Sequence, residues 1–201
     1  MKRIFILALV LLAGWQLYSS PGQVTLGPGV QAKEAPRQVS IGSPSSHRVD
    51  DYTITEVAKF QIKAKVLGKK NYFLGREADL SPTDLALGWG RMSDESILDK
   101  IKISQSGRFY RWRVESFPLP RREIETSSAN MHMIPANDEV TSMLKKIRNG
   151  DIIELSGRLV NAESGSDGWR WQSSQTRTDT GQGACELIWV ERLQIVTPTQ
   201  L

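Results

Sequence analysis

The sequence predicts an α+β domain built on a small, strongly bent antiparallel sheet or barrel, and an OB-like barrel is one form it could take. Two observations predict this class. Five or more short stretches with strand patterning follow one another along the chain, and two or three short helical stretches lie between some of them. The domain is expected over residues 50–196, after an N-terminal membrane segment and a linker, with a tail over 197–201.

The first residues predict export. Lys2 and Arg3 precede an apolar run that continues to Tyr18. A cationic start stays on the cytoplasmic face while about fifteen apolar residues enter the bilayer, so the remainder is carried across. Residues 1–18 are therefore a signal anchor or a signal peptide. Aromatic residues at the far end favour a retained single-pass anchor in the inner (cytoplasmic) membrane, with the domain on the periplasmic or extracellular side; cleavage would instead give a secreted protein.

Glycine, proline and serine dominate residues 19–49, and no apolar period is present there. This composition predicts a flexible tether with a root-mean-square reach of roughly 30 Å. His47 lies within the tether and is expected to be solvated.

The net charge and the cysteine content limit the partners and cofactors that are expected. The net charge is +4 over 201 residues, and Lys2 and Arg3 contribute two of these charges. The remainder is too small to indicate a polyanion, so nucleic acid is not an expected partner. Cys185 is the single cysteine, which excludes an intrachain disulfide. With His132 as the domain's one histidine, no zinc ligand set is apparent, and neither a metal nor a cofactor is expected.

The first half of the domain shows one strand and two helices. Residues 60–66 alternate apolar and polar side chains, which predicts a strand with one buried face. Residues 81–84 read as an N-cap, a proline and an early acid, so a short helix is predicted to end at Gly88. Residues 93–95 repeat this chemistry for a second helix. Its apolar face is expected to carry Ile97, Leu98 and Ile101.

The second half adds strands and a third helix. Residues 108–114 alternate, with Tyr110 and Trp112 on one face. Asn137 or Asp138 is expected to cap a helix that ends in basic residues. The remaining predicted strands are residues 151–160, a hairpin return at 169–172, and residues 186–196.

The first candidate surface interleaves guanidinium groups with aromatic rings. Such a surface can clamp phosphates and stack flat groups, and outside the cytoplasm its ligands would be phosphate-bearing envelope lipids or glycans. The alternative is that the aromatic face packs the core while the arginines stand in solvent. The residues are Arg108, Tyr110, Arg111, Trp112 and Arg113, followed by Arg121 and Arg122.

The second candidate surface is a group of tryptophans on adjacent predicted strands. Trp169 and Trp171 share one face, with Trp189 and Trp112 expected near them. Sugar rings stack on exposed indoles, so the group could form a glycan platform. The alternative is that these rings are packed structure.

The third candidate site would be catalytic. His132 is followed by a Gly-Asp strand start at residues 150–151, and then by Cys185 and Arg192. This order resembles the sortase family of cell-surface cysteine transpeptidases. The resemblance implies Cys185 as nucleophile, His132 as acid or base, and Arg192 as oxyanion support. The alternative is a small buried hydrophobic cysteine.

A second resemblance covers most of the region from 80 to 191. It rests on the strings LSPTDLALGWG (80–90), SANMH (128–132) and DTGQGACE (179–186). These are similar to an uncharacterised family of bacterial exported or membrane-anchored proteins with no established activity. The resemblance implies envelope localisation and a shared fold. Export, a long tether and a compact β-rich domain without a convincing catalytic constellation predict non-catalytic binding or scaffolding of an envelope lipid, glycan or protein. A sortase-like transpeptidase or hydrolase is the alternative.

Overall fold

A computed structural model describes residues 22–176 and 185–196. Within these residues 48% are in strands, four helices are short, and the sheet is strongly curved. The α+β class predicted from the sequence is thereby confirmed, with four helices where two or three were expected. The membrane segment predicted at 1–18 and the tail at 197–201 lie outside the described residues. In the described part of the chain, no helix combines the length and apolar character that a membrane crossing requires.

The elements are numbered in chain order. The strands are β1 (Arg37–Ser40), β2 (Ser46–Val49), β3 (Tyr52–Asn71), β4 (Thr83–Gly88), β5 (Ile101–Ser106), β6 (Phe109–Val114), β7 (Ser128–Pro135), β8 (Ile152–Ser164), β9 (Arg170–Gln172) and β10 (Glu186–Ile195). The helices are α1 (Arg76–Leu80), α2 (Glu95–Leu98), α3 (Arg121–Thr126) and α4 (Asp138–Lys146), with a 3₁₀ turn at Gly90–Ser93.

The main sheet runs in the order β1-β3-β4-β7-β10-β8-β9, and β2 also pairs with β3. Because β3 pairs with β8 as well, the pairings β3-β4-β7-β10-β8 return to their first strand. The β7 and β10 strands are parallel, and the other pairs are antiparallel. β3 reaches both neighbours because its register shifts between Glu56 and Ala58 and between Val66 and Gly68. Such irregularities bend a strand.

The core fills the inside of this ring. Phe60 and Ala64 are fully buried on β3, whereas Gln61 and Lys63 between them are exposed, so the predicted strand and its apolar face are confirmed. α4 packs its apolar face on the same cluster. Its predicted cap is also confirmed, since Asn137 Oδ1 accepts a hydrogen bond from the third helical N–H at 2.9 Å. The largest core side chains shared by strands and helix are Phe60, Leu85, Leu87, Met131, Met133, Leu144, Ile147 and Ile153.

The helix predicted after residue 81 is wrong: Thr83–Gly88 is strand β4. All six of its residues are buried, since β4 pairs on both sides with β3 and β7. A strand covered on both faces shows no alternation, and its short apolar run also fits a helix. The second predicted helix is confirmed in part. Asp94 caps it, with Oδ1 accepting from the Ser96 N–H at 2.9 Å, but α2 has a single turn and Ile101 begins β5.

Residues 22–49 do not form the flexible tether that their composition predicts. β1 and β2 both pair with β3, and earlier residues bind the domain through their backbone. The N–H groups of Leu26 and Gly27 donate to the Glu95 carboxylate, and the Val24 N–H donates to the Asn149 carbonyl at 2.8 Å. These backbone contacts order the segment without an apolar period. These contacts bring Val24 close to Gly150, whose φ is 91°. A Cβ on residue 150 would clash with the carbonyl oxygen of Val24, so glycine is required there.

His47 is likewise tied to the domain. Its ring stacks on Trp189 with centroids 5.4 Å apart, and its Nε2 lies 2.6 Å from a Glu56 carboxylate oxygen. The side chain remains 40% exposed. The histidine therefore joins β2 to the outer side of the ring, although one face stays open to solvent.

Candidate functional site

A cleft of about 640 Å³ runs beside the β5–β6 hairpin, which forms a separate two-stranded sheet. All six residues of β6 line the cleft. Side chains of a strand alternate between two faces, so six consecutive residues can line one cleft only where it follows the edge of the strand. The opposite wall comes from the beginnings of β7 and β10, with Ser128, Asn130, Cys185 and Glu186.

Aromatic side chains form the body of the cleft. Tyr110 places its hydroxyl 3.1 Å from Ser128 Oγ, and burial raises the pKa of Tyr110 to about 12. Trp112 is half-buried and contacts Phe117 edge to face, with centroids 6.2 Å apart. Phe117 itself is 56% exposed. The guanidinium of Arg121 lies over the Trp112 ring at 5.9 Å, so cationic and aromatic groups meet at one mouth of the cleft.

The two exposed arginines of β6 follow the predicted alternation. Arg111 and Arg113 are exposed, while Tyr110, Trp112 and Val114 on the other face are half-buried. Arg111 is held in place by Ser106, whose hydroxyl accepts from its Nη1 at 2.8 Å. The aromatic face therefore packs on the domain and also lines the cleft, and ligand binding at this surface stays a prediction.

Arg108 differs from the other arginines, because it is largely buried. Its guanidinium donates to Asp84 Oδ1 at 2.7 Å and to the Ser81 carbonyl at 2.8 Å, and it lies 3.8 Å from the Tyr72 ring centroid. Its φ of 68° is unusual for a residue other than glycine. Gly107, at a φ of 57°, and Arg108 form the two-residue turn between β5 and β6, a tight hairpin turn in which both central residues take a positive φ. The tip of the hairpin is thereby fixed to the outer face of β4.

Asp84 also binds His132, so one carboxylate joins the hairpin to β7. The distance from His132 Nδ1 to Asp84 Oδ1 is 2.9 Å, and both side chains are at most 3% exposed. Asn130 extends the network, because its amide donates to the Arg108 carbonyl at 3.1 Å and accepts from Gln105 at 2.8 Å. We name Asp84, Arg108, Asn130 and His132 the polar cluster.

Cys185 lies on the same face of the sheet as His132. Leu187 is the register partner of His132, and Cys185 stands two residues before Leu187. Cys185 Sγ is 3.9 Å from the Arg108 carbonyl oxygen, and the residue lines the cleft. Arg192, by contrast, lies seven residues further along the strand, roughly 23 Å away. The structure therefore brings Cys185 to the neighbourhood of the polar cluster and leaves Arg192 outside it.

The tryptophans divide between two clusters. Trp169 and Trp171 are in contact, with centroids 6.1 Å apart, and they pack with Trp189 on one apolar cluster. Trp112 belongs to another cluster, below the hairpin, so it is not near the other three. Trp171 also reaches His132, at 4.7 Å between ring centroids. These half-buried contacts favour packed structure over an open stacking platform.

Sequence reasoning missed Asp84 and the pairing of Arg108. Once Thr83–Gly88 is recognised as a buried strand, an acid within it demands a partner, and that signal was present in the sequence. Among residues 22–176 and 185–196, no group of three or more His, Cys, Asp or Glu side chains is placed to hold a metal ion.

No protein-family model, no curated protein and no solved structure matches this chain. The resemblance to sortases and the resemblance to exported proteins of no established activity therefore stay predictions from the sequence.

Proposed function

We propose that this chain is a membrane-tethered extracytoplasmic domain that binds a phosphate-bearing envelope lipid or glycan in the cleft beside β6. The observation that carries this proposal is the lining of the cleft. Arg111, Arg113 and Arg121 line it, and Trp112 and Phe117 contribute aromatic rings. Arg121 shares its charge with Glu125, to which its Nε donates at 2.8 Å, so Arg111 and Arg113 are the main candidate phosphate ligands. Guanidinium groups bind phosphate oxygens through paired donors, and the rings can contact the apolar or sugar part of the same molecule.

We further propose that the ring of strands is an OB-like barrel. The five strands of the ring are, in chain order, β3, β4, β7, β8 and β10. The helix α4 lies between β7 and β8, and β7 is parallel to β10. OB folds bind oligosaccharides and oligonucleotides on the face of their second and third strands. Those strands correspond to β4 and β7, and the cleft lies at the beginning of β7. This correspondence supports a ligand site there.

The location outside the cytoplasm rests on the charged and apolar pattern of residues 1–18. A domain outside the cytoplasm would meet lipids and glycans of the cell envelope, so these molecules are its available ligands. A reporter enzyme that works only in the cytosol, fused after Leu201, should stay inactive. Reporter activity would overturn this location.

Binding is tested with the purified full chain in mild detergent. The probes are diheptanoyl phosphatidylglycerol below its micelle concentration and a phosphorylated oligosaccharide, each against a neutral counterpart. Saturable change of tryptophan fluorescence is expected for one anionic probe, and the probe that binds distinguishes lipid from glycan. Arg111→Gln and Arg113→Gln should each weaken binding by about tenfold, because each removes a charge-assisted hydrogen bond. Lys59→Gln is the matched control, because Lys59 is exposed on β3 and does not line the cleft. No saturable binding, or equal weakening by the control, would refute the proposal.

The second candidate function is a cysteine transpeptidase or hydrolase, favoured by the Asp84–His132 contact of 2.9 Å. An aspartate that accepts from Nδ1 leaves Nε2 as the basic nitrogen of the imidazole. In this reading Cys185 attacks an acyl carbonyl, its proton passes to His132 and then to the leaving group, and water or an amine releases the thioester. Arg108 replaces Arg192 as the cation of this site.

The two functions are separated by the reactivity of the thiol. The rate of alkylation of Cys185, measured against pH, gives the pKa of its thiol. Free cysteine has a pKa of about 8.5, and a thiol activated by His132 should have a pKa well below that value. Asp84→Asn should then raise that pKa. A value at or above 8.5 in the unmodified chain would remove the enzyme and leave the binding domain.

A further inference from the structure

We propose that the folded domain rests on an anionic bilayer surface, through a basic patch and the apolar loop that follows it. The basic patch comprises Lys145, Lys146 and Arg148 at the end of α4, and the apolar loop comprises residues 72–75. This inference rests on the proposed membrane location and adds to it which face of the domain contacts the lipid.

The connection between the membrane segment and the domain is short. The predicted apolar run ends at Tyr18, and Val24 is already hydrogen-bonded to the Asn149 carbonyl. Six residues span at most roughly 21 Å when fully extended. A segment embedded up to Tyr18 therefore holds the Asn149 side of the domain close to the lipid headgroups.

Basic side chains surround this junction. Lys145 and Lys146 end α4, Arg148 follows, and all three are exposed. The Lys69 ammonium donates to the Lys145 carbonyl at 3.1 Å and so fixes the end of β3 against the end of α4. Lys70, the next residue of β3, points to the opposite face of the strand, where its register partner is Asp84, so it is not part of this group. The point where the N-terminal segment joins the domain is thus framed by cations.

Acids neutralise part of the charge in this region. Asp151 is fully buried, and its carboxylate lies 3.4 Å from the Arg148 guanidinium. Glu77 and Asp79 are carried by α1, which begins directly after the apolar loop. The exposed Lys145 and Lys146 at the end of α4 are therefore the cations on which the attraction depends. Anionic lipid headgroups would attract each surface lysine of the patch, and the attraction falls off within a Debye length.

The apolar loop offers the complementary contact. Phe73 is 85% exposed and Leu74 is 92% exposed, which makes them the most exposed large hydrophobic residues of the described chain. The loop is held at its base, because the Tyr72 N–H donates to the Pro82 carbonyl at 2.9 Å and its hydroxyl accepts from the Arg108 N–H at 3.0 Å. Adjacent apolar side chains on an anchored loop, three residues from a lysine, are typical of insertion at a membrane interface.

The test places an environment-sensitive dye at residue 74, as Leu74→Cys in a Cys185→Ser background of the full chain. The chain is reconstituted in vesicles of phosphatidylcholine, with or without phosphatidylglycerol, and quenching by brominated lipid is measured. The dye at Val39→Cys is the matched control, because Val39 is exposed on β1 and pairs with the distant half of β3. Quenching is expected at residue 74 and not at residue 39, and more strongly with phosphatidylglycerol.

Replacement of Lys145 and Lys146 by glutamine should weaken docking on the anionic vesicles by about fivefold for each lysine, or about 25-fold together. A chain that sediments with vesicles but shows equal quenching at both positions would overturn the docking face while keeping the membrane location. A chain that sediments with neither vesicle would instead overturn the membrane location, and this proposal with it.

Discussion

Replacement of Glu95 by glutamine should release the N-terminal segment from the domain. The Glu95 carboxylate accepts from the Lys65 ammonium at 2.7 Å, from the Leu26 N–H at 2.7 Å and from the Gly27 N–H. Glutamine keeps the shape of the side chain but loses its charge. This change tests directly whether residues 22–49 belong to the folded domain.

The expected cost follows from burial. The side chains of Lys65 and Glu95 are 3% and 12% exposed, so the variant leaves a buried ammonium without its counter-charge. Removal of one partner from a buried pair costs about 3–5 kcal/mol. In a domain of this size each kcal/mol lowers the melting temperature by about 2–4 °C, so a fall of roughly 6–20 °C is expected.

The assay combines thermal unfolding by circular dichroism with hydrogen exchange at the amides of Leu26 and Gly27. Both amides should lose protection in Glu95→Gln. The matched control is Glu115→Gln, because Glu115 is 91% exposed in its ion pair with Lys102 and such pairs contribute less than about 1 kcal/mol. A melting temperature within 2 °C of the unmodified protein, with both amides still protected, would refute the reasoning.

Acid should have the same effect as the substitution. Burial tends to raise the pKa of Glu95, but the Lys65 ammonium and the two backbone N–H donors outweigh it and hold the pKa below its ordinary value of 4.5. Because the pKa of Glu95 is lower in the folded state than in the unfolded state, its carboxylate contributes fully to stability above the unfolded-state pKa. This contribution is lost as the pH falls through the folded-state pKa. The exchange rate of the segment should therefore rise below about pH 4, and Glu95→Gln should lack this dependence.

Three further outcomes follow from the structure. Gly157→Ala should cost about 1–3 kcal/mol or more in chemical denaturation, because a Cβ there would clash with the Trp189 carbonyl, whereas Gly165→Ala meets its nearest atom at 3.7 Å and should cost far less. Tyr110 has its pKa raised to about 12, so its contribution to stability is complete below pH 10 and is lost as the pH rises through 12; the part of the tyrosinate absorbance that Tyr110→Phe removes should appear only near pH 12. Asn137→Ala removes the α4 cap and should lower the unfolding free energy by about 0.5–2 kcal/mol in urea titration, with Asn137→Ser retaining most of it.

The parts of the fold that the sequence predicts are those that local signals determine. The strand at residues 60–66 alternates because one face is buried, and α4 has its cap, apolar face and basic end within a dozen residues. β4 could not be predicted in this way. Both of its faces are covered, so its sequence does not alternate, and Ser81-Pro82 has the composition of a helix start. The order of residues 22–49 could not be predicted either, because it depends on backbone bonds to strands and a carboxylate that lie far along the chain.

The candidate site shows the same division. Arg111 and Trp112 could be assigned to opposite faces of β6 from their spacing alone. Asp84, however, meets Arg108 across 24 residues and His132 across 48. An acid in a buried strand indicates that a partner exists, but no local pattern identifies these two residues as the partners. Arg192 was grouped with Cys185 on the strength of a resemblance, and the parallel register of β10 with β7 places it at the other end of the strand.

The length of β3 also decides when the molecule can fold. This strand pairs with β1, β2, β4 and β8, and its pairing of Tyr52 with Ser164 joins residues on the order of 100 positions apart in the chain. Loop-closure entropy must be overcome before such distant contacts form, and chains dominated by them fold in milliseconds to seconds. A polypeptide that emerges amino end first cannot complete its ring until β10 is free. Closure of the ring of strands therefore follows the synthesis of β10, although the local pairings β3–β4 and β5–β6 can form earlier.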